Sequence, residues 1–387
     1  MAVTIHQTPE AFTPSDNPVV WTFSSDQTAQ SNFYYQISIY IDDALVAEEQ
    51  IFPESGIYAK YDASDWASNS CNRPTTSTAM EADAANTCEV RITITERYGT
   101  PVADQASTAG TNIVCWKAGM FNEDFAAWDS SAYVVDGVTT DLKWLTNFPT
   151  EYYQKVGLTE HVRLMLLTDE TDVDLTITLY DEDDNSIASA SSTYGAANFV
   201  SIFNFAPDVI VDDTAITDAN FSTCSYYIIS EDSGEVEDYR FEIQTDCQYD
   251  SYKRLHFLST WGSIESLSYN LVSRVSNNPK SYGYRRYWGE WNSSAFEFND
   301  SQGTDLDFAK IVTRSMRIES DWLFEEIQHW IVDNLHTSNL VMIEDTAGVL
   351  LERSIKARRS EKKWNKEDQL FTDKVTVVMP SLINARL

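Results

Sequence analysis

Glycine, proline and long apolar runs are scarce in this sequence of 387 residues. The 13 glycines and 10 prolines exclude a collagenous or low-complexity chain and argue against long flexible linkers. Because no run of about 18 apolar residues occurs, we expect no membrane-spanning helix and a soluble protein. The opening residues 1–6 lack a basic segment followed by an apolar stretch, so we also predict no signal peptide and folding in a cytosol.

Cysteine motifs are also missing. The five cysteines, Cys71, Cys88, Cys115, Cys224 and Cys247, include no Cys-x-x-Cys pair and have no histidine at zinc-finger spacing, which argues against a zinc site. Cys71 and Cys88 flank a polar loop and could form a disulfide across it, but in a reducing cytosol we favour free buried thiols. We predict no cofactor.

Basic residues are few and unevenly placed. The chain carries 27 basic and 60 acidic residues, a formal net charge of −33. Residues 1–250 hold 42 acidic and 9 basic residues, whereas residues 251–387 hold 18 of each. The acidic part should repel nucleic acids and anionic membranes. The change in composition near residue 250 indicates a domain boundary, and only the last part could approach a polyanion, such as DNA in a channel, or the acidic face of another subunit.

Alternation of apolar and polar residues with a period of two predicts a mainly β fold. In residues 34–41, Gln36 and Ser38 lie on the predicted outer face of a half-buried strand, and the inner face carries Tyr35, Ile37, Ile39 and Ile41. A turn at 42–43 leads to a predicted hairpin partner at 45–51, and residues 88–95 and 112–116 form two more predicted strands. These strands predict an immunoglobulin-like sandwich over residues 1–118.

A second, acidic β-sandwich is predicted over residues 119–250. Residues 161–167 are apolar enough for a fully buried strand, and residues 173–180 and 186–191 form a predicted hairpin around an acidic turn at 181–185. A strand at 239–243 completes the set. The first 250 residues therefore predict tandem immunoglobulin-like or jelly-roll-type sandwiches.

Residues 251–387 predict a C-terminal α+β assembly domain in which antiparallel strands carry one long helix. The helix is predicted over 320–335, with Ser320 as N-cap and acidic residues in its first turn. Its apolar stripe consists of Leu323, Ile327, Trp330, Ile331 and Leu335. Strands are predicted on both sides, at 340–343, 349–351 and 375–379.

Two acidic patterns resemble metal sites. The oxygens of Asp181, Asp183 and Asp184 could coordinate Ca²⁺, but the glycine and glutamate of an EF-hand loop are missing, so we favour a solvated hairpin turn. Glu326 and His329 have the Glu-x-x-His spacing of di-iron bundles. Because such sites need a second copy and further helical carboxylates, we favour an ordinary pair on the helix surface.

Arginine and aromatic residues alternate over residues 282–291. Such a stretch could stack on sugars or single-stranded bases. These residue types also concentrate at the centres of protein interfaces, so we place Arg285, Arg286 and Trp288 at subunit contacts.

A basic run follows at 353–366. It could contact phosphates or form a solvated loop, and we favour contact with a neighbouring copy's acidic face. The predicted contacts include a lysine assigned to position 357. The other predicted contacts in this run are Arg353, Arg358, Arg359, Lys362, Lys363 and Lys366.

No catalytic motif is present. The sequence lacks a nucleophile elbow, a phosphate-binding loop, a zinc-protease motif and a dinucleotide fingerprint, and its five histidines are scattered. We therefore predict no enzyme. A glycoside hydrolase stays open as an alternative, because two catalytic carboxylates leave no local signature.

Four segments resemble sequences from one group of proteins. Residues 5–21 carry a Q-x-P…P-x-x-N-P pattern, and residues 144–149 match F-L-T-N-x-P except at the first position, which is Trp. Residues 247–269 resemble a Y-x-L-x-F-L-N-x-x-G pattern, although Tyr252 lies three residues before Leu255 and Ser259 and Thr260 stand where an Asn is usual. Residues 319–338 are similar to a terminal helix and cap. In these segments the chain resembles structural virion proteins of tailed phages of Bacteroidetes, including crAss-like podophages.

The resemblance implies a non-enzymatic subunit of the neck or tail, such as a tail hub or connector ring, whose C-terminal unit is related to tail-tube or hub domains. It implies assembly in the bacterial host cytoplasm, a homo-oligomeric ring in the virion and contacts with other neck or tail proteins. Rings use heterologous interfaces, which an acidic front and a basic-patched back would provide. The alternative is a carbohydrate-binding β-sandwich adhesin or receptor-binding protein, favoured by the aromatic residues and the candidate Ca²⁺ sites.

Overall fold

The chain is mainly β, as the alternation of apolar residues predicts. The computed structural model describes residues 3–54, 56–74, 81–82, 87–136, 139–170, 172–195, 199–231, 234–244, 253–285, 289–297, 305–344, 349–356, 370–380 and 382–385. Within these ranges, no helix has the length and apolar character needed to cross a membrane.

Two sheets enclose a first core. Their elements, with one strand that joins a later sheet, are β1 (Thr4–Gln7), β2 (Phe12–Pro14), β3 (Val20–Ser24), β4 (Tyr34–Ile41), β5 (Ala44–Ile51), β6 (Tyr58–Asp62), α1 (Ser64–Ser70), β7 (Glu81–Ala82), β8 (Thr87–Tyr98), β9 (Ala103–Ala109) and β10 (Ile113–Trp116). One sheet has the order β1-β3-β6, and the other has the order β2-β10-β8-β4-β5, with β9 paired to β8. Trp21, Phe23 and Tyr35 pack in the core, and so do the predicted inward residues of β4 and β8.

The predicted hairpin of β4 and β5 is confirmed. Asp42 and Asp43 form its two-residue turn with φ values of 48° and 61°, the left-handed conformation that such turns require. The outer face of β4 was predicted wrongly, because Gln36 and Ser38 are buried as well. Since β4 lies in the interior of its sheet, β8 and β5 flank both residues and cover part of their surface.

A second pair of sheets follows. Its elements are α2 (Asn122–Ala126), a 3₁₀ turn (Ser130–Ala132), β11 (Val134–Val135), β12 (Gln154–Val156), β13 (Arg163–Thr168), β14 (Asp172–Tyr180), β15 (Ser186–Gly195), β16 (Val200–Asn204), α3 (Pro207–Asp213), α4 (Asp218–Phe221), β17 (Tyr226–Glu231) and β18 (Tyr239–Ile243). The sheet β11-β13-β16-β7 packs on the sheet β12-β18-β17-β14-β15. The buried strand at 161–167 and the hairpin around 181–185 are confirmed as β13 and the β14–β15 pair.

Contacts join the first sandwich to the second. β7 precedes residue 118 but pairs with β16, and an apolar cluster packs Trp116 and Val114 against Met165 and Leu167. The predicted boundary near residue 250 falls in residues 245–252, which lie outside the described part of the chain.

The C-terminal part forms one large antiparallel sheet with a helix packed on it. Its elements are β19 (Lys253–Leu258), β20 (Ile264–Tyr269), β21 (Val272–Arg285), β22 (Glu290–Trp291), β23 (Phe296–Glu297), β24 (Asp305–Glu319), β25 (Leu323–Phe324), α5 (Glu325–Asp333), β26 (Val341–Glu344), β27 (Leu350–Lys356), β28 (Leu370–Phe371), β29 (Lys374–Val378) and β30 (Leu382–Ala385). The sheet runs β20-β19-β26-β27-β29-β24-β21, with β30 paired to β24. Trp330 and Ile331 of α5 are buried against it and Ile327 is partly buried, which confirms these three residues of the predicted apolar stripe. The other two are not in the helix, because Leu323 lies on β25 and Leu335 follows the end of α5.

The predicted start of this helix was wrong. α5 begins at Glu325, five residues after Ser320, because Leu323 and Phe324 pair as β25 with Phe371 and Leu370. Ser320 is fully buried and holds another segment instead of capping the helix: its hydroxyl accepts a hydrogen bond from the backbone N–H of Asp373 at 2.8 Å. Tertiary pairing with β28 therefore overrides the local helical pattern.

Candidate functional site

A long β-arm with an exposed face is formed by β21 and β24. Their antiparallel register runs from Val272 opposite Glu319 to Arg285 opposite Asp305. The other edge of β24 pairs with β29 over residues 315–319 and with β30 over residues 309–312, so the arm is two-stranded at its tip. At the base, Met316 and Ile318 are buried in the core of the large sheet, whereas every β21 side chain from Arg274 to Arg285 is exposed. Beyond its base, β21 therefore buries little surface of its own.

The arm presents apolar and basic side chains to solvent. Val275, Tyr282 and Tyr284 are exposed apolar or aromatic residues on β21, and Trp291 and Phe296 are exposed on β22 and β23. The two long strands carry six basic residues and three acidic ones. The Arg285 guanidinium lies 3.9 Å from the Asp305 carboxylate, and both side chains are about four-fifths exposed, so this ion pair leaves the arginine open to another partner.

The predicted contact residues fall partly on this surface. Arg285 ends β21, and Arg353 lies in β27 of the same sheet, where its Nη1 donates to the carbonyl of Glu352 at 2.7 Å. β29 and β24 separate β27 from β21, so these two arginines are not neighbours. The other predicted contact residues lie outside the described residues: Arg286, Trp288, Arg358, Arg359, Lys362, Lys363 and Lys366.

The lysine contact assigned to position 357 was wrong. That position is Ala357, whose methyl side chain carries no charge and cannot pair with an acidic face, and it lies outside the described residues. The lysine of this part of the run is Lys356, one residue earlier, which is exposed at the end of β27. The basic contact predicted here therefore moves to Lys356.

Acidic edge strands lie elsewhere on the chain. β5 is the edge of the first large sheet, carries Glu48 and Glu49, and has Leu45 and Val46 exposed. β15 is the edge of the sheet whose hairpin turn contains Asp181 and its acidic neighbours. An edge strand leaves backbone N–H and C=O groups free to pair with another chain.

The candidate Ca²⁺ residues build the β14–β15 turn. The Asp181 carboxylate accepts backbone N–H groups of Asp183 and Asn185, both at 2.9 Å, and these bonds to Asn185 and Asp183 lower the pKa of Asp181. Asp184 adopts a φ of 62° and accepts the Tyr226 hydroxyl at 2.8 Å. Within the described ranges, no three His, Cys, Asp or Glu side chains are grouped so as to hold a metal ion.

The four thiols in the described ranges are buried and unbridged. The sulfurs of Cys71 and Cys88 lie 2.8 Å apart as a hydrogen-bonded pair, and this bond together with burial raises the pKa of Cys71 far above that of a free thiol. Burial raises the pKa of Cys224 to about 11. Cys71 and Cys224 are therefore protonated at neutral pH and unsuited to nucleophilic chemistry.

Three of the four segments that resemble virion proteins, at 144–149, 247–269 and 319–338, contact one another at one junction. Trp116 Nε1 donates to the Trp261 carbonyl at 2.9 Å, and the Gly119 N–H donates to the Thr260 carbonyl at 3.0 Å. The side-chain oxygen of Asn334, at the end of α5, accepts the Thr260 N–H at 3.0 Å. This junction ties the first sandwich to the C-terminal sheet and helix.

Further contacts come from the other two segments. Asn147 donates to the Asn334 oxygen at 3.4 Å, and Thr146 donates to the buried Glu265 carboxylate at 2.6 Å. Near the N-terminus, the side chain of Asn17 exchanges two hydrogen bonds with the backbone of Met120, at 2.9 and 2.7 Å. The segments thus serve to hold the parts of the chain together.

A buried ionic cluster joins the second sandwich to the C-terminal sheet, and sequence reasoning missed it. Arg254, on β19, pairs with the Glu160 carboxylate at 2.9 Å, and its Nη2 donates to Ser266 at 2.7 Å. On the neighbouring strand β26, Glu344 accepts from His256 Nε2 at 2.9 Å. The sequence does show polar residues that interrupt apolar strands. A single sequence does not show that these residues come together between the second sandwich and the C-terminal sheet.

Burial sets the protonation of this cluster. Burial, together with the positive charges of Arg163 and Arg254, lowers the pKa of His256 well below its ordinary value, so the ring is neutral. Its Nδ1 lies 3.4 Å from the Arg163 guanidinium and can accept from it. Burial raises the pKa of Glu344, although the neighbouring arginines and His161 oppose this effect. The positive and negative charges of the cluster balance, so the cluster serves to hold the second sandwich and the C-terminal sheet together.

Comparisons with known proteins give little further information. No protein-family model matches the sequence. No curated protein matches it at a significant level. One solved structure that matches is the complex of Dpr2 Ig1-Ig2 with DIP-Theta Ig1-Ig3, with 8% identity over 82% of this chain and 94% of that chain and a TM-score of 0.18. A similarity at that level supports no conclusion about function.

Proposed function

We propose that this protein is a non-enzymatic structural subunit of a phage virion, a neck or tail component that self-associates into a ring. The single observation that carries the proposal is the exposed β-arm, whose strands leave the large sheet with aromatic and basic side chains on their surface. Proteins that act alone rarely expose such a ribbon, whereas assembling subunits use one to reach a neighbour.

Charge complementarity supports a head-to-tail contact. The arm is basic, and the two sandwiches carry the whole acidic excess of the chain, so the arm of one copy is attracted to a sandwich of the next. A contact between two different faces repeats around a closed ring. Three further parts of the proposal come from the resemblance to virion proteins: assembly in the host cytoplasm, location in the virion and contact with other neck or tail proteins.

Oligomeric state tests the proposal directly. We expect the purified full-length chain to form rings in negative-stain electron microscopy and native mass spectrometry, and higher salt to weaken them because the attraction is partly electrostatic. Tyr284→Ala and Arg285→Glu should each raise the concentration needed for assembly at least tenfold. Trp322→Ala is the control, since Trp322 is an exposed aromatic residue, 65% exposed against 54% for Tyr284, that lies outside both the arm and the sandwiches.

Two results would contradict this function. One is a chain that stays monomeric at every salt and protein concentration and is absent from purified particles by mass spectrometry. The other is assembly that the arm variants and the Trp322 control affect equally, which would remove the arm from the contact.

A further inference from the structure

A concave cavity of about 370 Å³ lies between the second sandwich and the C-terminal unit. Residues of β12 and β18 line one side, residues of β20, β25 and α5 line the other, and the lining residues lie outside the arm. The volume falls within the roughly 300 to 1,000 Å³ of small-molecule sites, which commonly lie between domains.

Two exposed aromatic rings belong to the wall of this cavity. Trp322 is 65% exposed and Phe324 is 47% exposed. The Phe324 ring stacks on Tyr152, with 4.8 Å between centroids, and the Tyr152 hydroxyl donates to Glu326 at 2.8 Å, so this ring is held in place. The face of an aromatic ring carries partial negative charge and attracts cations, most strongly in the case of an indole.

Another part of the wall already holds a cation of the chain itself. The Arg240 guanidinium carbon lies 4.3 Å from the ring centroid of Tyr153 and 3.7 Å from that of Tyr226. The same guanidinium forms an ion pair with the Glu242 carboxylate at 3.4 Å. Tyr153 and Glu242 both line the cavity. Here the protein combines ring faces with a carboxylate, and a positive charge satisfies both.

The residues around Trp322 and Phe324 offer the same two kinds of group. One oxygen of the exposed Asp321 carboxylate accepts the backbone N–H of Trp322 at 2.7 Å. Glu151 is a second exposed acid of the wall and directly precedes Tyr152 in the chain. Within the described part of the chain, no basic side chain forms an ion pair with Asp321 or Glu151. This part of the cavity therefore has rings and carboxylates without the positive charge that Arg240 supplies elsewhere.

The charges of the wall select the ligand class. Arg240 offsets the charge of Glu242, and the two remaining acids outnumber Lys155, so anions are disfavoured. A neutral ligand would take water from these carboxylates without supplying an opposite charge. Among the described residues, no three His, Cys, Asp or Glu side chains are grouped so as to hold a metal ion. An organic ammonium ion suits both the carboxylates and the rings.

We propose that this cavity binds a small aliphatic amine, such as a diamine, in its protonated form. Its ammonium groups pair with Asp321 and Glu151, and its methylene chain lies against Trp322 and Phe324. The site goes beyond a role in ring assembly and does not depend on it.

The test compares two probes of the same length on the full-length protein. Putrescine carries an ammonium group at each end of a four-carbon chain, whereas 1,4-butanediol carries hydroxyls there. In isothermal titration calorimetry and saturation-transfer NMR, we expect putrescine to bind at least about tenfold more tightly than the diol, and added salt to weaken it. Equal affinity for the two probes, or no binding of putrescine, would overturn the proposal.

A tryptophan pair tests the role of the ring. Trp322→Ala should lower the affinity for putrescine at least about tenfold. Trp291→Ala is the matched control, because Trp291 is 68% exposed but lies on β22, outside the cavity, and should keep the wild-type affinity. Equal losses in the two variants would show that the amine does not lie against Trp322.

An acid pair separates this site from general attraction to a chain of net charge −33. Asp321→Asn removes one negative charge and keeps an acceptor for the Trp322 N–H. Glu182→Gln removes one from the exposed β14–β15 turn. Only Asp321→Asn should weaken putrescine, by at least about threefold. Equal effects of the two substitutions would reduce the binding to surface charge and refute the site.

Two further measurements keep the outcome clear. Circular dichroism melting checks that Trp322→Ala is folded, and if it is not, the Asp321→Asn comparison decides. N-acetyl-lysine methylamide is the third probe, and tighter binding of this probe than of putrescine would assign the cavity to a lysine of a partner protein and overturn the proposal of a free amine. Ring formation by Trp322→Ala should match the wild type in native mass spectrometry, so failure of this site and failure of assembly are distinguishable.

Discussion

His256 illustrates how single residues behave when charges are buried in this protein. The neutral ring donates from Nε2 to Glu344 and presents Nδ1 to Arg163, so one tautomer satisfies both neighbours. A second proton on the ring would place the N–H at Nδ1 against the positively charged guanidinium of Arg163. Two arginines and two glutamates in the same cluster, Arg163, Arg254, Glu160 and Glu344, otherwise balance each other.

The pH dependence of stability should report this histidine. In the unfolded chain His256 takes up a proton near pH 6.5, whereas in the folded chain it does not, so the unfolded state binds more protons and stability falls as pH drops below 6.5. One such group changes the free energy of unfolding by about 1.4 kcal/mol between pH 7.5 and 5.5. In urea denaturation at both pH values, the wild type should lose about 1.4 kcal/mol more than His256→Gln between pH 7.5 and 5.5.

The comparison between variants cancels other titrating groups. The raised pKa values of Glu344 and Glu265 act in the opposite direction, because their folded forms take up protons first as pH falls, and both glutamates are present in the wild type and the variant. Identical pH dependence in the wild type and His256→Gln would refute this assignment.

At the scale of elements, the strands with strict alternation were predictable and the arm was not. β4, β8 and β14 have apolar residues at every second position because one face of each packs in a core. β21 lacks this pattern, since neither of its faces is buried beyond the base, and Pro279 inside it argues against a strand. Proline is tolerated there because β21 is the edge of its sheet.

Ser320 provides a test of the corrected helix boundary. Removing its hydroxyl in Ser320→Ala leaves the buried N–H of Asp373 without its acceptor and should lower the free energy of unfolding by about 1 to 3 kcal/mol. The helical signal in circular dichroism should stay unchanged, because α5 begins at Glu325. Ser276→Ala, at an exposed serine of the arm, should change stability by less than about 0.5 kcal/mol. A loss of helical signal in Ser320→Ala would restore Ser320 as the helix cap.

At the scale of the whole molecule, the units are joined by contacts that no local pattern predicts. Composition alone distinguishes the acidic residues 1–250 from the neutral residues 251–387. The junction between the first sandwich and the C-terminal sheet, however, depends on the close approach of segments that are distant in the sequence. Gly262 shows why: its φ is 87°, and a Cβ there would lie 2.7 Å from the Lys117 carbonyl oxygen and 2.8 Å from the Trp116 ring. Only a residue without a side chain lets the two units meet this closely.

Gly262→Ala should therefore loosen the junction. We expect a fall in the free energy of unfolding of roughly 3 kcal/mol, the sum of left-handed strain and a clash with backbone. Gly56→Ala is the control for strain alone, because its φ is 65° and nothing lies within 4 Å, so it should cost about 1 kcal/mol. Calorimetry measures both, and tryptophan fluorescence should change only in Gly262→Ala, where Trp116 and Trp261 lie. Equal effects of the two substitutions would show that the junction is not tightly packed at Gly262.

The attachment of the arm also determines how the protein bears load. One edge of β24 is paired with β29 over five residues, Ser315 to Glu319, and with β30 from Ala309 to Val312, both in the antiparallel register. A force that pulls the tip along the strand axis loads these backbone hydrogen bonds in shear, so they must break together, whereas a sideways force would peel them one at a time. The arm should therefore resist axial tension far better than lateral bending.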